Sequence, residues 1–147
     1  MTPCPDLSVQ LLSRPGLLAP VRSMVVSLAE RTGFDEVMCS HIQLAVDEAL
    51  ANVLRHGYGG REDCRIWVHL WELHDPAGLR IVIEDLARQV DPETIRGREL
   101  DEVRPGGLGV HLMQSLMDVV RFERRHEGGM RLTLEKILRD EPAESPV

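Results

Sequence analysis

The sequence predicts an α+β fold, a two-layer α/β sandwich in which helices cover one face of a mixed, mostly antiparallel sheet. Two early segments, residues 17–31 and 35–57, have the apolar spacing of helices. Residues 65–73 and 79–85 follow with the alternation of strands, and a glycine-centred hairpin closes the chain. This order of elements favours helices packed on one side of a sheet.

The amino-terminal half is predicted to hold one strand and two helices. Residues 7–12 form the strand, and Pro15 helps to end it. Gly33 stops the first helix, Asp35 caps the start of the second, and Gly57 marks its end.

The carboxy-terminal half contains a long segment without clear periodicity. Residues 87–107 carry two prolines and several glycines, and a loop of that length in a compact domain is usually functional, often as a lid. A helix over 108–118 follows, and strands over 119–127 and 130–137 form a hairpin around Gly128 and Gly129.

Composition indicates one globular domain and argues against nucleic-acid binding. The 147 residues are 43% apolar and 28% charged, so we expect a single domain over 1–139 and a flexible tail over 140–147. The net charge is −7 and only 3% of residues are aromatic, which leaves neither a basic surface nor a stacking platform for bases.

The cysteines and the start of the chain indicate a cytoplasmic protein. Cys4, Cys39 and Cys64 are far apart and odd in number, which disfavours a zinc site or a disulfide framework. The first residues lack the basic and apolar regions of a signal peptide, and no segment is apolar enough to span a membrane.

The second helix carries polar groups beside its apolar stripe. That stripe comprises Met38, Ile42, Ala45, Ala49 and Val53. His41, Glu48 and Asn52 lie next to it, between apolar neighbours. One interpretation is a partly buried Glu48–Asn52 hydrogen bond that caps the core. The other is a site in which the carboxylate acts as a base and the amide oxygen binds magnesium.

A carboxylate ends the apolar row of the strand over 79–85. Leu79, Ile81 and Ile83 face one way and Asp85 follows them. There Asp85 either begins a turn, which is a common use, or accepts a hydrogen bond from a ligand amine.

Glycines lead directly into the predicted helix over 108–118. Gly106, Gly107 and Gly109 leave backbone N–H groups and the positive helix end free for phosphate, and Arg104 could add a positive charge. The alternative is a flexible loop with small residues that pack at the start of the helix.

Three segments in this order resemble a known family. They are AVDEALANVLRHGYGG, IEDLARQVDP and GGLGVHLMQSLMDVV, and GGMRLTLEK matches the closing strand. The chain resembles, over nearly its whole length, the anti-sigma-factor serine/threonine kinases of the GHKL (histidine-kinase-like) ATPase superfamily. The resemblance implies the Bergerat-type ATP-binding fold, with ATP held between helices and a lid.

The resemblance also implies roles for individual residues, with ATP and Mg²⁺ as cofactors. Glu48 corresponds to the general base, Asn52 to the magnesium ligand, and Asp85 to the residue that reads the adenine amino group.

The phosphate-binding segment follows from the same resemblance. Gly107 and Gly109, with Gly106 and Leu108 beside them, correspond to the glycine-rich segment that wraps the phosphates, and Arg104 would steady the γ-phosphate.

The chain departs from the family pattern around the adenine pocket. Ala87 stands where a glycine is usual, and its methyl group would crowd the base or forbid a positive φ. Met130 replaces a threonine that helps the aspartate, and we expect it to fill the pocket beside Leu132. Arg88 and Gln89 replace small residues.

Two functions follow from these features. The first is a kinase that phosphorylates an anti-sigma-factor antagonist and sequesters a sigma factor; retained Glu48 and Asn52 favour it. The second is a nucleotide-poor module that regulates through partner exchange alone; Ala87 and Met130 favour it. A metabolic ATPase or a sensor histidine kinase domain is a third interpretation, which the short lid disfavours.

The strand over 65–73 has large apolar groups on both faces. Trp67 and Trp71 fall on the row opposite Ile66, and helices cover only one face of a two-layer sandwich. We therefore expect these tryptophans to form a homodimer or partner interface, unless the amino-terminal segment folds over them.

Overall fold

The computed structural model describes residues 3–95 and 107–139, which form three helices on one side of a five-stranded sheet. Short 3₁₀ turns at Pro15–Leu17 and Pro92–Thr94 and a π-helical turn at Val53–Gly57 join the main elements. These main elements are β1 (Leu7–Leu12), α1 (Leu18–Thr32), α2 (Glu36–Asn52), β2 (Arg65–Leu73), β3 (Gly78–Asp85), α3 (Gly107–Leu116), β4 (Val119–Arg124) and β5 (Met130–Ile137).

The sheet has the strand order β1-β2-β3-β5-β4, and every pairing among the described strands is antiparallel. The predicted two-layer α+β fold is therefore confirmed. Most of the predicted loop, residues 96–106, and the predicted tail, residues 140–147, lie outside the described residues. None of the described helices is both long enough and apolar enough to cross a membrane.

The core lies between the helices and the inner face of the sheet. The inward row of β2 is fully buried, as alternation predicts, and so are Ile81 and Ile83 of β3. In the apolar stripe of α2, Ile42, Ala45 and Ala49 are buried, whereas the two end residues of the stripe are half-buried. The sequence thus identified the buried face of α2, β2 and β3.

Helix ends follow the capping signals at the start of α2 but not at its end. The Asp35 side chain accepts a hydrogen bond from the Met38 N–H at 2.8 Å, and Gly33 adopts a φ of 117° after α1. The predicted α-helix to residue 57 is wrong in its last turn, because α2 ends at Asn52 and continues as the π-helical turn.

Two other predicted boundaries are too long. The third helix stops at Leu116, because Asp118 turns to the sheet and accepts the Ile137 N–H at 2.7 Å. Strand β4 stops at Arg124, because the Arg125 N–H donates to the Gly129 carbonyl and closes a wider turn than the predicted glycine pair.

The outer face of the sheet is covered by charged side chains and by the amino-terminal segment. The Trp71 indole N–H donates to the Pro3 carbonyl at 2.8 Å, and Trp71 is only 8% exposed. Trp67 is half-buried and donates to Gln10 at 3.0 Å. Coverage of Trp71 is the arrangement that the sequence left as the alternative to an interface, and a homodimer stays a prediction.

Candidate functional site

Glu48 and Asn52 lie one turn apart at the end of α2 and are both half-buried. The π-helical turn begins directly after Asn52, and such turns occur frequently at functional sites. Among the described residues, no hydrogen bond joins the two side chains, so the interpretation as a Glu–Asn pair that caps the core is wrong. Both polar groups remain available to a ligand.

The first turn of α3 approaches these two side chains very closely. A Cβ atom at Gly109 would lie 2.8 Å from Glu48 Oε2 and 3.5 Å from Asn52 Nδ2. Only glycine allows this approach without displacement of the carboxylate. The start of α3, where backbone N–H groups have no partner within the helix, therefore lies beside a carboxylate and an amide.

A cavity of about 390 Å³ opens beside Asn52, between the helices and the sheet. Its size is typical of small-molecule and cofactor sites. Glu48 and His41 are not among the described residues that line it, and the Glu48 carboxylate lies instead beside Gly109 of α3. Its largely apolar wall includes Ala49, Val53, Ile83, Val110, Met113, Phe122, Met130 and Leu132.

Asp85 presents a buried carboxylate to this cavity and is 6% exposed. Its Oδ1 accepts hydrogen bonds from the backbone N–H of Ala87 at 2.8 Å and of Met130 at 3.2 Å. Burial raises the pKa of Asp85, and those two N–H groups and the charge of Arg125 offset this effect only in part. No residue in the described ranges donates to Oδ2, which is therefore a buried acceptor open to a ligand.

The two departures from the family pattern fit this geometry. Ala87 does not have a positive φ, and a Cβ at Gly57 would lie 3.2 Å from the Ala87 methyl carbon, so the glycine makes room for that methyl group. Met130 is 9% exposed and lines the cavity beside Leu132, as predicted. Its backbone also supplies one of the two N–H groups that hold Asp85.

Sequence reasoning missed the contacts that hold this end of the cavity. The Tyr58 hydroxyl donates to the Arg65 carbonyl and accepts from the Leu86 N–H at 2.7 Å, which ties the end of the π-helical turn to β2 and β3. The Gln89 amide donates to the carbonyls of Arg125 and Gly129. The one available signal was Tyr58, the single tyrosine of the chain, which lies in the AVDEALANVLRHGYGG segment.

The structure describes only some of the predicted phosphate-binding residues. Arg104 and Gly106 lie outside the described residues. Leu108 belongs to α3, together with Gly107 and Gly109. The structure thus brings Glu48 and Asn52 together with α3.

Comparisons with known proteins agree with this geometry. Residues 11–136 match the family described as the histidine kinase-like ATPase domain. Serine-protein kinase RsbW of Listeria monocytogenes serovar 1/2a is 26% identical over 145 residues, which cover 94% of this chain and 90% of that protein. Serine-protein kinase RsbW of Halalkalibacterium halodurans is 30% identical over 130 residues, with 82% and 76% covered.

Solved structures share the fold. The RsbU and RsbW domains of a Mycobacterium tuberculosis protein align over 99% of this chain with a TM-score of 0.63 and 19% identity, and this chain spans 36% of that one. The SiaB–SiaC complex of Pseudomonas aeruginosa gives a TM-score of 0.66 at 12% identity, with 91% of each chain covered. The chain belongs to the histidine kinase-like ATPase domain family, and its relatives within that family include serine-protein kinases named RsbW.

Proposed function

We propose that this chain is an ATP- and magnesium-dependent serine/threonine kinase that phosphorylates an anti-sigma-factor antagonist and sequesters a sigma factor. The observation that carries the proposal is the close approach of Gly109, where an added Cβ atom would lie 2.8 Å from Glu48 Oε2 and 3.5 Å from Asn52 Nδ2. This approach would bring Glu48 as the base and Asn52 as the magnesium ligand next to the glycine-rich start of α3. Asn52 also lines the cavity that contains the Asp85 carboxylate.

Adenine recognition rests on Asp85. Because Oδ1 is held by two backbone N–H groups, Oδ2 is left to accept a hydrogen bond from the exocyclic amine of the base. Apolar side chains such as Ile83, Met113 and Phe122 form walls suited to a flat ring. Ala87 also lines this cavity, and Gly57 leaves room for its methyl group.

Phosphate transfer rests on the residues at the end of α2 and the start of α3. Asn52 would hold magnesium, which when bound neutralises charge on the phosphates. Glu48 would accept the proton of the attacking serine hydroxyl. Gly107 and Gly109 would offer backbone N–H groups to phosphate, and we assign Gly106 and Arg104 to the same task.

The proposed partners come from the relatives. The named relatives are serine-protein kinases, so a protein serine is the expected acceptor. One protein of similar fold was solved in a complex with a second protein, SiaB with SiaC, which is consistent with regulation by partner exchange. The antagonist protein and the sigma factor are accordingly proposed as alternating partners.

A nucleotide-poor protein-binding module is the second candidate. The Met130 side chain favours it, because it lines the cavity and reduces the space for a base. The same residue supports the kinase through its backbone N–H, which holds Asp85.

Calorimetric titration with Mg-ATP tests the proposal. We expect the wild type to bind, and Asp85→Asn to weaken binding roughly 10- to 100-fold, since a hydrogen bond to a charged group contributes about 1.5–3 kcal/mol. Asp47→Asn is the matched control, because Asp47 pairs with Arg22 at 2.9 Å and does not line the cavity. A wild type that binds no nucleotide at millimolar concentration would establish the binding-module interpretation instead.

A further inference from the structure

Arg125 lies on the outer face of the sheet, just after β4, and its side chain is only 13% exposed. Its guanidinium carbon is 5.3 Å from the centre of the Trp67 ring, a cation–π distance. Its Nε donates to Glu84 Oε2 at 2.8 Å. We refer to Arg125, Glu84 and Trp67 together as the Arg125 clamp.

The Arg125 clamp also reaches the main chain on the cavity side. Arg125 Nη1 donates to the Asp85 carbonyl at 3.1 Å and to the Gly128 carbonyl at 3.0 Å. One planar guanidinium therefore links the end of β3 to the turn before β5. A lysine ammonium is a point charge on a flexible stem and lacks this fixed fork of donors.

These contacts hold Asp85 at the point where β3 no longer pairs with β5, although β2 still pairs with Asp85 through Ile66. The β3–β5 pairing ends at Glu84 and Arg131, so the Asp85 carbonyl lies beyond the last paired residues. Arg125 donates a hydrogen bond to that carbonyl, while the N–H groups of Ala87 and Met130 donate to the carboxylate oxygen Oδ1. Asp85 is thus fixed at its main chain and at its side chain.

The turn before β5 is packed tightly against the same carbonyl. Gly129 has a φ of 80°, and a Cβ there would clash with the Asp85 carbonyl oxygen. Outward movement of the Arg125 side chain would remove its hydrogen bonds to the Gly128 carbonyl of this turn and to the Asp85 carbonyl. The Gln89 amide, which donates to the carbonyls of Arg125 and Gly129, adds a second link between the same segments.

We propose that Arg125 is a positioning residue, which fixes the direction of the Asp85 carboxylate and thereby sets the preference of the cavity for adenine over guanine nucleotides. The preference for adenine rests on the proposed function. A guanine ring presents a carbonyl oxygen where adenine presents its amine, so a fixed carboxylate rejects it. A carboxylate free to rotate away from that oxygen would reject it less.

The sheet offers a matched control in Arg80. Its guanidinium carbon is 6.0 Å from the centre of the Trp71 ring, and its Nε donates to Glu135 Oε2 at 2.7 Å. Arg80 therefore has the same stacking and ion pair on the same face of the sheet. Among the described residues that line the cavity, none accepts a hydrogen bond from Arg80.

The experiment compares Arg125→Lys with Arg80→Lys in the full chain. Titrations with Mg-ATP and Mg-GTP give the preference, and amide hydrogen exchange by NMR reports the N–H groups of Ala87 and Met130. For Arg125→Lys we expect roughly tenfold weaker ATP binding, a smaller ATP-to-GTP ratio and faster exchange at both amides. For Arg80→Lys we expect wild-type values of the ATP affinity, of the ATP-to-GTP ratio and of the exchange rates at both amides.

Two results would overturn the role of Arg125. One is an Arg125→Lys variant with the wild-type nucleotide ratio and slow exchange at both amides. The other is an equal loss in Arg80→Lys, which would indicate a general effect on the sheet. If the wild type binds neither nucleotide, the proposed function fails, and the exchange of Ala87 and Met130 alone decides whether Arg125 holds Asp85.

Discussion

Gly109→Ala adds one methyl group at the closest approach of α3 to the proposed catalytic pair. The new carbon would lie 2.8 Å from Glu48 Oε2, whereas ordinary contact begins at 3.4 Å, so the carboxylate must retreat by about 0.6 Å. Because the obstructed atom ends a flexible side chain, the helices need not separate. Alanine also favours a helix over glycine by roughly 0.8–1.0 kcal/mol.

Stability and activity should therefore change in opposite directions. We expect an unchanged or higher melting temperature, together with a loss of phosphate transfer of roughly 10- to 100-fold, since a misplacement of about 1 Å can cost a hundredfold in rate. The assay is transfer of labelled γ-phosphate from Mg-ATP to the proposed substrate, an anti-sigma-factor antagonist of the same organism. Gly16→Ala is the control, because a Cβ at Gly16 has no atom within 4 Å.

A Gly109→Ala variant with the wild-type transfer rate would contradict this expectation. It would mean that Glu48 does not act from the position seen beside α3. A variant that loses transfer only because it unfolds would be recognised by its melting temperature.

Further predictions concern the other residues of the site. Glu48→Ala should lower transfer roughly 10²- to 10⁴-fold while ATP binding persists, and Asn52→Ala should reduce the magnesium dependence of ATP binding; wild-type transfer in the first would exclude Glu48 as the base. Burial raises the pKa of the Asp85 carboxyl group in the folded protein. The contribution of this group to the free energy of unfolding is therefore complete below the pKa of the unfolded chain, and it is lost as the pH rises through the raised pKa of the folded protein. As the pH rises from acidic to neutral, the melting temperature of the wild type should therefore fall relative to that of Asp85→Asn. A difference between the two melting temperatures that stays constant over this range would contradict the raised pKa of Asp85. Tyr58→Phe removes a buried hydroxyl that accepts one backbone N–H, and it should lower the free energy of unfolding by roughly 1–3 kcal/mol in urea titrations, whereas exposed Ser40→Ala should not.

The inner faces of the elements were predictable because they depend on local periodicity. The alternation of β2 placed Ile66 and Val68 in the core, and both are fully buried. The N-cap at Asp35 was equally local, since its side chain accepts from the N–H of Met38, three residues along the chain. Each of these two signals is confined to one turn or one strand, and both are retained in the tertiary structure.

The outer face of the sheet was not predictable in this way. Alternation placed Trp67 and Trp71 opposite the core, but it carries no information on what covers them. The residues that do so are distant in sequence: Trp71 donates to Pro3, and Trp67 stacks under Arg125. An apolar row on a strand therefore predicts burial or an interface, and only the fold distinguishes the two.

The candidate site likewise combines one feature that sequence spacing predicts with others that depend on the fold. Spacing in the sequence was enough to place Glu48 and Asn52 on one helix face, because four residues complete about one helical turn. Only the three-dimensional structure shows that Gly109 approaches both side chains and that, among the described residues, no hydrogen bond joins the two. It alone also showed that Asp85 is held by Arg125 and Met130, which are 40 and 45 residues away in the chain. The physical reason is that hydrogen bonds across a sheet depend on register and turn length and not on the residues next to Asp85.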